Sequence, residues 1–194
     1  MAINQADKVV ELREVVLRDK PAHMIELSPK ATVPVLWLED GTVIDESLEV
    51  MAWAADYTNW PSLLLDTNNG DLISKNDTSF KFHLDKYKYP NRYEDTDALE
   101  HREAALAILK NIEANLQDDW LGGSEPSFTD IAILPFIRQF RGVDTDWFDN
   151  LSDISKTKSW TKRFLDWEGF TSIMKKYPQW KPGDCVTTFG VTSS

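Results

Sequence analysis

The stretch from Lys30 to Tyr57 constrains the fold more than any other part of the chain. Val33 to Leu38 is a short apolar run rich in β-branched and aromatic residues, Asp40-Gly41 is a turn pair, and Thr42 to Ile44 is β-prone again. The pattern predicts a hairpin with a type I′ turn, which needs positive φ at both Asp40 and Gly41. Pro34, at the head of the first strand, cannot donate to a ladder, so its backbone faces something other than a neighbouring strand. Asp45-Glu46-Ser47 then opens a helix whose apolar positions Leu48, Met51, Ala52 and Ala55 recur at i, i+3, i+4 and i+7. Acidic and hydroxyl residues at such a start satisfy free N–H groups and complement the helix dipole, and the same N–H groups make the start an anion site.

Val33-Pro34-Val35-Leu36, the Asp40-Gly41 turn and Glu46-Ser47 within one hairpin's length resemble the glutathione-binding half of the thioredoxin-like lobe in the glutathione S-transferase family. The resemblance implies a cis Val33–Pro34 bond, with the backbone N–H and C=O of Val33 offered to the cysteinyl part of glutathione. It implies that Glu46 takes the ammonium of the γ-glutamyl end, while Ser47 and the helix N–H groups take its carboxylate. Lys20 lies thirteen positions before Val33. That spacing is like that of the lysine that pairs with the glycine carboxylate in cysteine-type, omega-like members; Lys30 is the weaker competitor.

The start of the chain departs from the family pattern. Met1 to Asp7 reads as the last turns of a helix, and Val9 to Leu17 as an edge strand interrupted by Glu11, Arg13 and Glu14. The family's first strand, the turn with the catalytic cysteine, serine or tyrosine, and most of the first helix have no match. Two explanations stand: an internal methionine of a longer reading frame, or a shortened, non-catalytic relative. No residue is assigned the catalytic role. Without the first strand, backbone groups on Val9 to Leu17 and Val33 to Leu38 would face an empty slot, at about 1 to 3 kcal/mol per buried unpaired group. The expectation is that the two segments pair directly, or that another chain inserts a strand.

Pro21 to Leu27 predicts a short helix stopped by Ser28-Pro29. Thr58-Asn59-Trp60-Pro61 ends the hairpin's helix, and residues 61–65 read as the linker between a lobe spanning 1–60 and an all-helical lobe spanning 66–194. In the helical part, Ile73, Asp77, Phe80, Leu84 and Tyr87 mark one face, and Ala105, Leu109, Ile112 and Leu116 another. The next helix, after Ser127-Phe128-Thr129-Asp130, is apolar on nearly all sides and therefore buried. Ser127 and Asp130 have the spacing of a capping box and resemble the family's own, a structural pair. Pro135 to Phe140, with Asp144, Trp147 and Phe148, resembles a bacterial subgroup that carries an N-terminal cysteine. Ile154 to Trp167 and Phe170 to Tyr177 read as further helices, and residues from Lys181 onward as a surface-wrapping tail.

Composition closes off other classes. Hydrophobic content of 42% and charged content of 27% are those of an ordinary globular protein. A net charge of −11 argues against nucleic acid and against anionic membrane surfaces as partners. There is no apolar run near the length of a membrane span, and Cys185 alone cannot form an internal disulfide, so a reducing cytoplasm is the expected compartment. His23, His83 and His101 are far apart in sequence with no ligand at metal spacing, and no Cys-x-x-Cys, phosphate loop or Gly-x-Ser-x-Gly elbow occurs. The expected architecture is an α/β, truncated thioredoxin-like lobe followed by an all-α lobe. The resemblance implies glutathione as co-substrate, thiol transfer to a small electrophile or mixed disulfide, no metal, and a homodimer. The alternative is a non-catalytic binding or scaffold protein on the same fold.

Overall fold

The structure is a computed structural model that describes residues 1–6, 8–57 and 67–190. The linker expected at 61–65 and the lobe boundary at Trp60 lie outside the described residues. The chain divides into two compact units, Met1–Asn59 with Glu168–Ser194, and Trp60–Trp167. The tail, read from the sequence as part of the helical lobe, therefore groups with the first unit.

In that unit α1 (Ala2–Gln5) packs on α3 (Ser47–Ala55), and Ala2, Ala6, Val50 and Ala54 are all buried. The buried face of α3 is thus the Val50–Ala54 pair, one turn apart. It is not the Leu48, Met51, Ala52, Ala55 stripe, of which Ala52 is exposed. Between these helices come β1 (Val10–Glu11), α2 (Ala22–Leu27), β2 (Leu36–Trp37) and β3 (Val43–Ile44). The hairpin pairs Leu36 with Ile44 and Trp37 with Val43. Its turn is longer than the type I′ expected: Leu38 N donates to Thr42 O (2.8 Å), and Gly41 N donates to Leu38 O (3.0 Å). Among the hairpin's loop residues Gly41 has positive φ (89°) and Asp40 does not. Three residues, Glu39 to Gly41, thus form the loop, with the single left-handed position taken by glycine.

The direct pairing expected between Val9–Leu17 and Val33–Leu38 does not occur. β1 pairs instead with β4 (Thr188–Phe189), antiparallel, with Val10 opposite Phe189 and Glu11 opposite Thr188. The contact continues along the tail: Leu12 N donates to Thr187 O (2.7 Å) and Trp180 N to Glu14 O (2.9 Å). Gln179 Nε2 donates to an Asp19 carboxylate oxygen at 2.9 Å, and the Arg13 guanidinium lies 4.7 Å from the Trp180 ring. The edge groups of β1 thus find partners within the same chain. Gly190 permits the last step, since it has φ of +107° and a Cβ there would lie 1.9 Å from Lys8 O. The helix expected over Phe170–Tyr177 is correspondingly short: α10 covers Glu168–Thr171, and the chain beyond runs along residues 11–19.

In the helical unit α4 (Thr67–Lys75) passes through a π-helical turn (Asn76–Phe80) into α5 (Lys81–Lys88). The wider turn brings Asn76 rather than Asp77 to the buried face, in line with Ile73, Phe80, Leu84 and Tyr87. Asp77 instead pairs with Lys81 at 2.5 Å. The unit is completed by α6 (Ala98–Asn115), α7 (Phe128–Arg141), α8 (Thr145–Asp149) and α9 (Ser155–Asp166). Asp97 caps α6 through Leu99 N (2.8 Å). The start of α9 has no side-chain cap of its own, and Glu113 of α6 supplies one, accepting from Lys156 N (2.9 Å) and Thr157 N (2.7 Å).

α7 opens with a complete capping box: Asp130 N donates to Ser127 Oγ (3.4 Å) and Ser127 N to Asp130 Oδ2 (2.8 Å). Asp130 has no exposed surface and also accepts from Leu121 N (2.8 Å), Gly122 N (3.2 Å), Ser127 Oγ (2.5 Å) and Trp160 Nε1 (2.7 Å). Ser127→Ala removes an N-cap acceptor at a buried helix start. It is expected to lower the unfolding free energy by about 0.5 to 2 kcal/mol in urea titrations, and an unchanged midpoint would show that the cap carries no stability.

Candidate functional site

The sequence singles out two dipeptides, Val33-Pro34 and Glu46-Ser47, and the hairpin brings them to the same end of the first unit. The ladder ends at Leu36 with Ile44, so Val33-Pro34, just before β2, and Glu46-Ser47, just after β3, both lie beyond that same end of the hairpin. Independent contacts hold this end closed: Ser28 Oγ, on a residue with no exposed surface, donates to Asp45 Oδ2 at 2.7 Å. The Val33–Pro34 bond is cis, as the resemblance implies. Val33, Pro34, Glu46 and Ser47 are all exposed. Ser47 is the first residue of α3, with Glu46 as its N-cap in extended conformation and no side chain capping the helix. The start of α3 therefore keeps its N–H groups available to a ligand anion.

The charge arrangement was only partly visible in the sequence. Lys30, ranked there behind Lys20, donates from Nζ to Glu46 Oε1 (2.8 Å) and to Asp45 Oδ1 (3.1 Å). Hydrogen bonds to Glu46 first and Asp45 second push the Lys30 ammonium up to about 12. Hydrogen bonds from Ser28 first and Lys30 second hold the Asp45 carboxyl below its ordinary 3.8. Lys20, by contrast, is half-buried just before α2 and forms no hydrogen bond or ion pair among the described residues. Ser28 and Asp45 were not singled out. The readable signal was opposite charge at the two ends of a hairpin, Lys30 before it and Asp45-Glu46 after it, which an antiparallel return must bring together.

Elsewhere the structure joins two histidines that are distant in sequence: Nδ1 of His83 and Nδ1 of His101 are 2.8 Å apart. Burial first, then His101 and Lys86, hold His83 below its ordinary value. No group of three or more potential metal ligands occurs among the described residues. The helical unit also carries an open polar cleft of 560 Å³ beside the start of α9. Both cations lining it are engaged, Lys156 with Leu116 O (2.9 Å) and Arg163 with Asp119 O and Oδ1 (2.5 Å each). Among the described residues no helix is long and apolar enough to cross a membrane.

Comparison with known proteins gives the class. Residues 4–56 match the family model described as glutathione S-transferase, N-terminal domain, and residues 83–181 match the one described as glutathione S-transferase, C-terminal domain. The chain belongs to the glutathione S-transferase family, with a thioredoxin-like domain of few strands and a helical domain. Among solved structures it is similar to a glutathione transferase from Methylococcus capsulatus str. Bath, at TM-score 0.69, 20% identity and 88% coverage of each chain. It is also similar to one from Xanthobacter autotrophicus Py2, at TM-score 0.61 and 22% identity, covering 76% of this chain and 75% of that one. A third, from Burkholderia graminis, has two glutathione molecules bound per subunit and matches at TM-score 0.66 and 17% identity, over 78% of this chain and 70% of that one. At these identities the likeness speaks for the fold. No curated protein matches the chain.

A pH prediction follows from the Ser28–Asp45–Lys30 contacts. Asp45 has a folded-state pKa below 3.8, so its contribution to stability is present above pH 3.8 and is lost as pH falls through the folded value. Ser28→Ala removes the largest cause of the shift. Carboxyl NMR titration is expected to show the Asp45 midpoint moving up toward 3.8 in that variant, and an unmoved midpoint would mean that Ser28 does not hold the carboxylate in solution.

Proposed function

We propose that this chain binds glutathione at the α3 end of its hairpin. Val33 presents its backbone to the cysteinyl part beside Pro34, Ser47 and the first N–H groups of α3 take the γ-glutamyl carboxylate, and Glu46 takes the ammonium. Lys20 takes the glycine carboxylate. The observation that carries this reading is the hairpin pairing, which leaves Val33-Pro34 and Glu46-Ser47 beyond the same end of the ladder, with a helix start free of any side-chain cap. Glutathione bound to a structural neighbour supports it.

The reaction that fits is thiol transfer. Bound glutathione attacks a small electrophile as the thiolate, forming a C–S bond as the leaving group departs, or attacks a mixed disulfide between substrate and an enzyme cysteine, forming a new S–S bond as the other sulfur leaves as a thiolate, with the chain as a cysteine-type member acting as a cytoplasmic homodimer. This chain's contribution is binding and orientation, and no residue of it is assigned to activating the thiol. The proposed chemistry needs an anion site and a backbone edge for the peptide, and the α3 end of the hairpin supplies both.

Ser47→Ala tests the binding reading. Losing a hydrogen bond to a charged carboxylate is expected to weaken glutathione binding about tenfold in calorimetry. Equal affinity in parent and variant would remove Ser47 from the site.

A further inference from the structure

Lys30 makes the ammonium end of the site unusual. Its Nζ lies 2.8 Å from Glu46 and 3.1 Å from Asp45, and the two carboxylates are held very differently. Asp45, with its side chain 21% exposed, is anchored by the buried Ser28 hydroxyl at 2.7 Å. Glu46, 57% exposed, has no carboxylate partner other than Lys30 among the described residues. The lysine therefore has one fixed partner and one movable partner, and the movable one is the acid that the glutathione reading assigns to the ligand's ammonium.

An incoming ammonium can take the oxygen that Lys30 holds, or the second oxygen of the same carboxylate. In the first case it must break an existing charge-assisted bond, and in the second it arrives within a few ångström of a like charge. Either way the free amine gains less from Glu46 than it would from an unpaired acid. The ligand's α-carboxylate is affected in the opposite sense. It is drawn to the start of α3, beside Ser47, and Lys30 adds a positive charge next to the N-cap of that helix. Anchored on Asp45, the ammonium can stay in place when Glu46 turns away.

We propose that Lys30 is the residue that sets how far this site depends on the ligand's α-amino group: by occupying Glu46 it makes the site a carboxylate-reading one that accepts γ-glutamyl-type thiols lacking a free amine nearly as well as glutathione. The inference rests on the glutathione reading and names the ligand class of that same site, thiols carrying a terminal carboxylate on a five-carbon acyl arm, amine-bearing or not. Lys30 acts as a specificity residue, and its effect falls on the ratio of two affinities rather than on folding.

The test measures calorimetric affinities for glutathione and for glutaryl-cysteinylglycine, the same tripeptide without its α-amino group. Parent protein, Lys30→Met, Lys30→Gln and Lys30→Arg are compared, with melting curves taken on each. The parent is expected to bind the two peptides with affinities within about threefold of each other. In Lys30→Met and Lys30→Gln the preference for glutathione should rise about twofold to fivefold, the range of an exposed ion pair, while Lys30→Arg keeps the parent ratio. If the parent binds both peptides and neither neutral variant changes the ratio, the role of Lys30 is overturned and the glutathione reading stands. A parent that strongly prefers the free amine overturns the role of Lys30 as well. If the parent binds neither peptide, the glutathione reading falls and this inference falls with it.

Discussion

A single buried carboxylate ties the helical unit together. Asp130 accepts from the backbone of Leu121, Gly122 and Ser127, from the Ser127 hydroxyl and from the Trp160 indole. Five donors converge on its two oxygens, two on Oδ1 and three on Oδ2, so neither is left unpaired. Burying so polar a side chain is tolerable because each oxygen is paired. The consequences spread outward: the turn at Trp120–Gly123 is fixed against the start of α7, and Trp160 brings α9 onto the same point. Further along α7 and α9 come the fully buried Ile133, Leu134, Ile137, Phe140 and Phe164, which need a defined helix start to keep their register.

The first unit solves a different problem, a very small sheet. Two two-residue ladders, β1 with β4 and β2 with β3, carry few backbone bonds. Their closure depends on side chains at the ends. Trp37 meets His23 edge-on at 5.4 Å and connects the hairpin to α2. The tail lies along residues 8–19 through a run of backbone and side-chain bonds and gives β1 its partner strand. At the other end, Ser28 and Lys30 fasten the segment before β2 to the acids after β3. The residues that fasten the hairpin end, Ser28 and Lys30, thus also set the charge arrangement around Asp45 and Glu46.

What the sequence revealed and what it hid follow from range. Short-range chemistry was legible: a hairpin within Val33 to Ile44, which pairs only from Leu36 on, the helix starting at Ser47, the Ser127–Asp130 box and the apolar α7 all rest on neighbours within a few residues. The turn type was misjudged because Asp-Gly suits both two-residue and three-residue loops, and the cross-strand partners decide between them. The π turn at Asn76–Phe80 shifted the buried face by one residue, which a uniform helical period cannot anticipate. The β1–β4 ladder, the Glu113 cap on α9, the His83–His101 contact and the Lys30 pairings join residues far apart in the chain, and no local period encodes them.

The proposed binding place for a γ-glutamyl thiol is one end of a hairpin, with Val33-Pro34 before β2 and Glu46-Ser47 at the start of α3. Mapping backbone amide shifts by NMR as glutathione is added to the intact chain tests it most directly. A saturable response is expected, concentrated at Val33, Glu46, Ser47 and Leu48, with the helical cleft around Ser155 and Lys156 unmoved. Saturable shifts at that cleft, with the hairpin end silent, would contradict it.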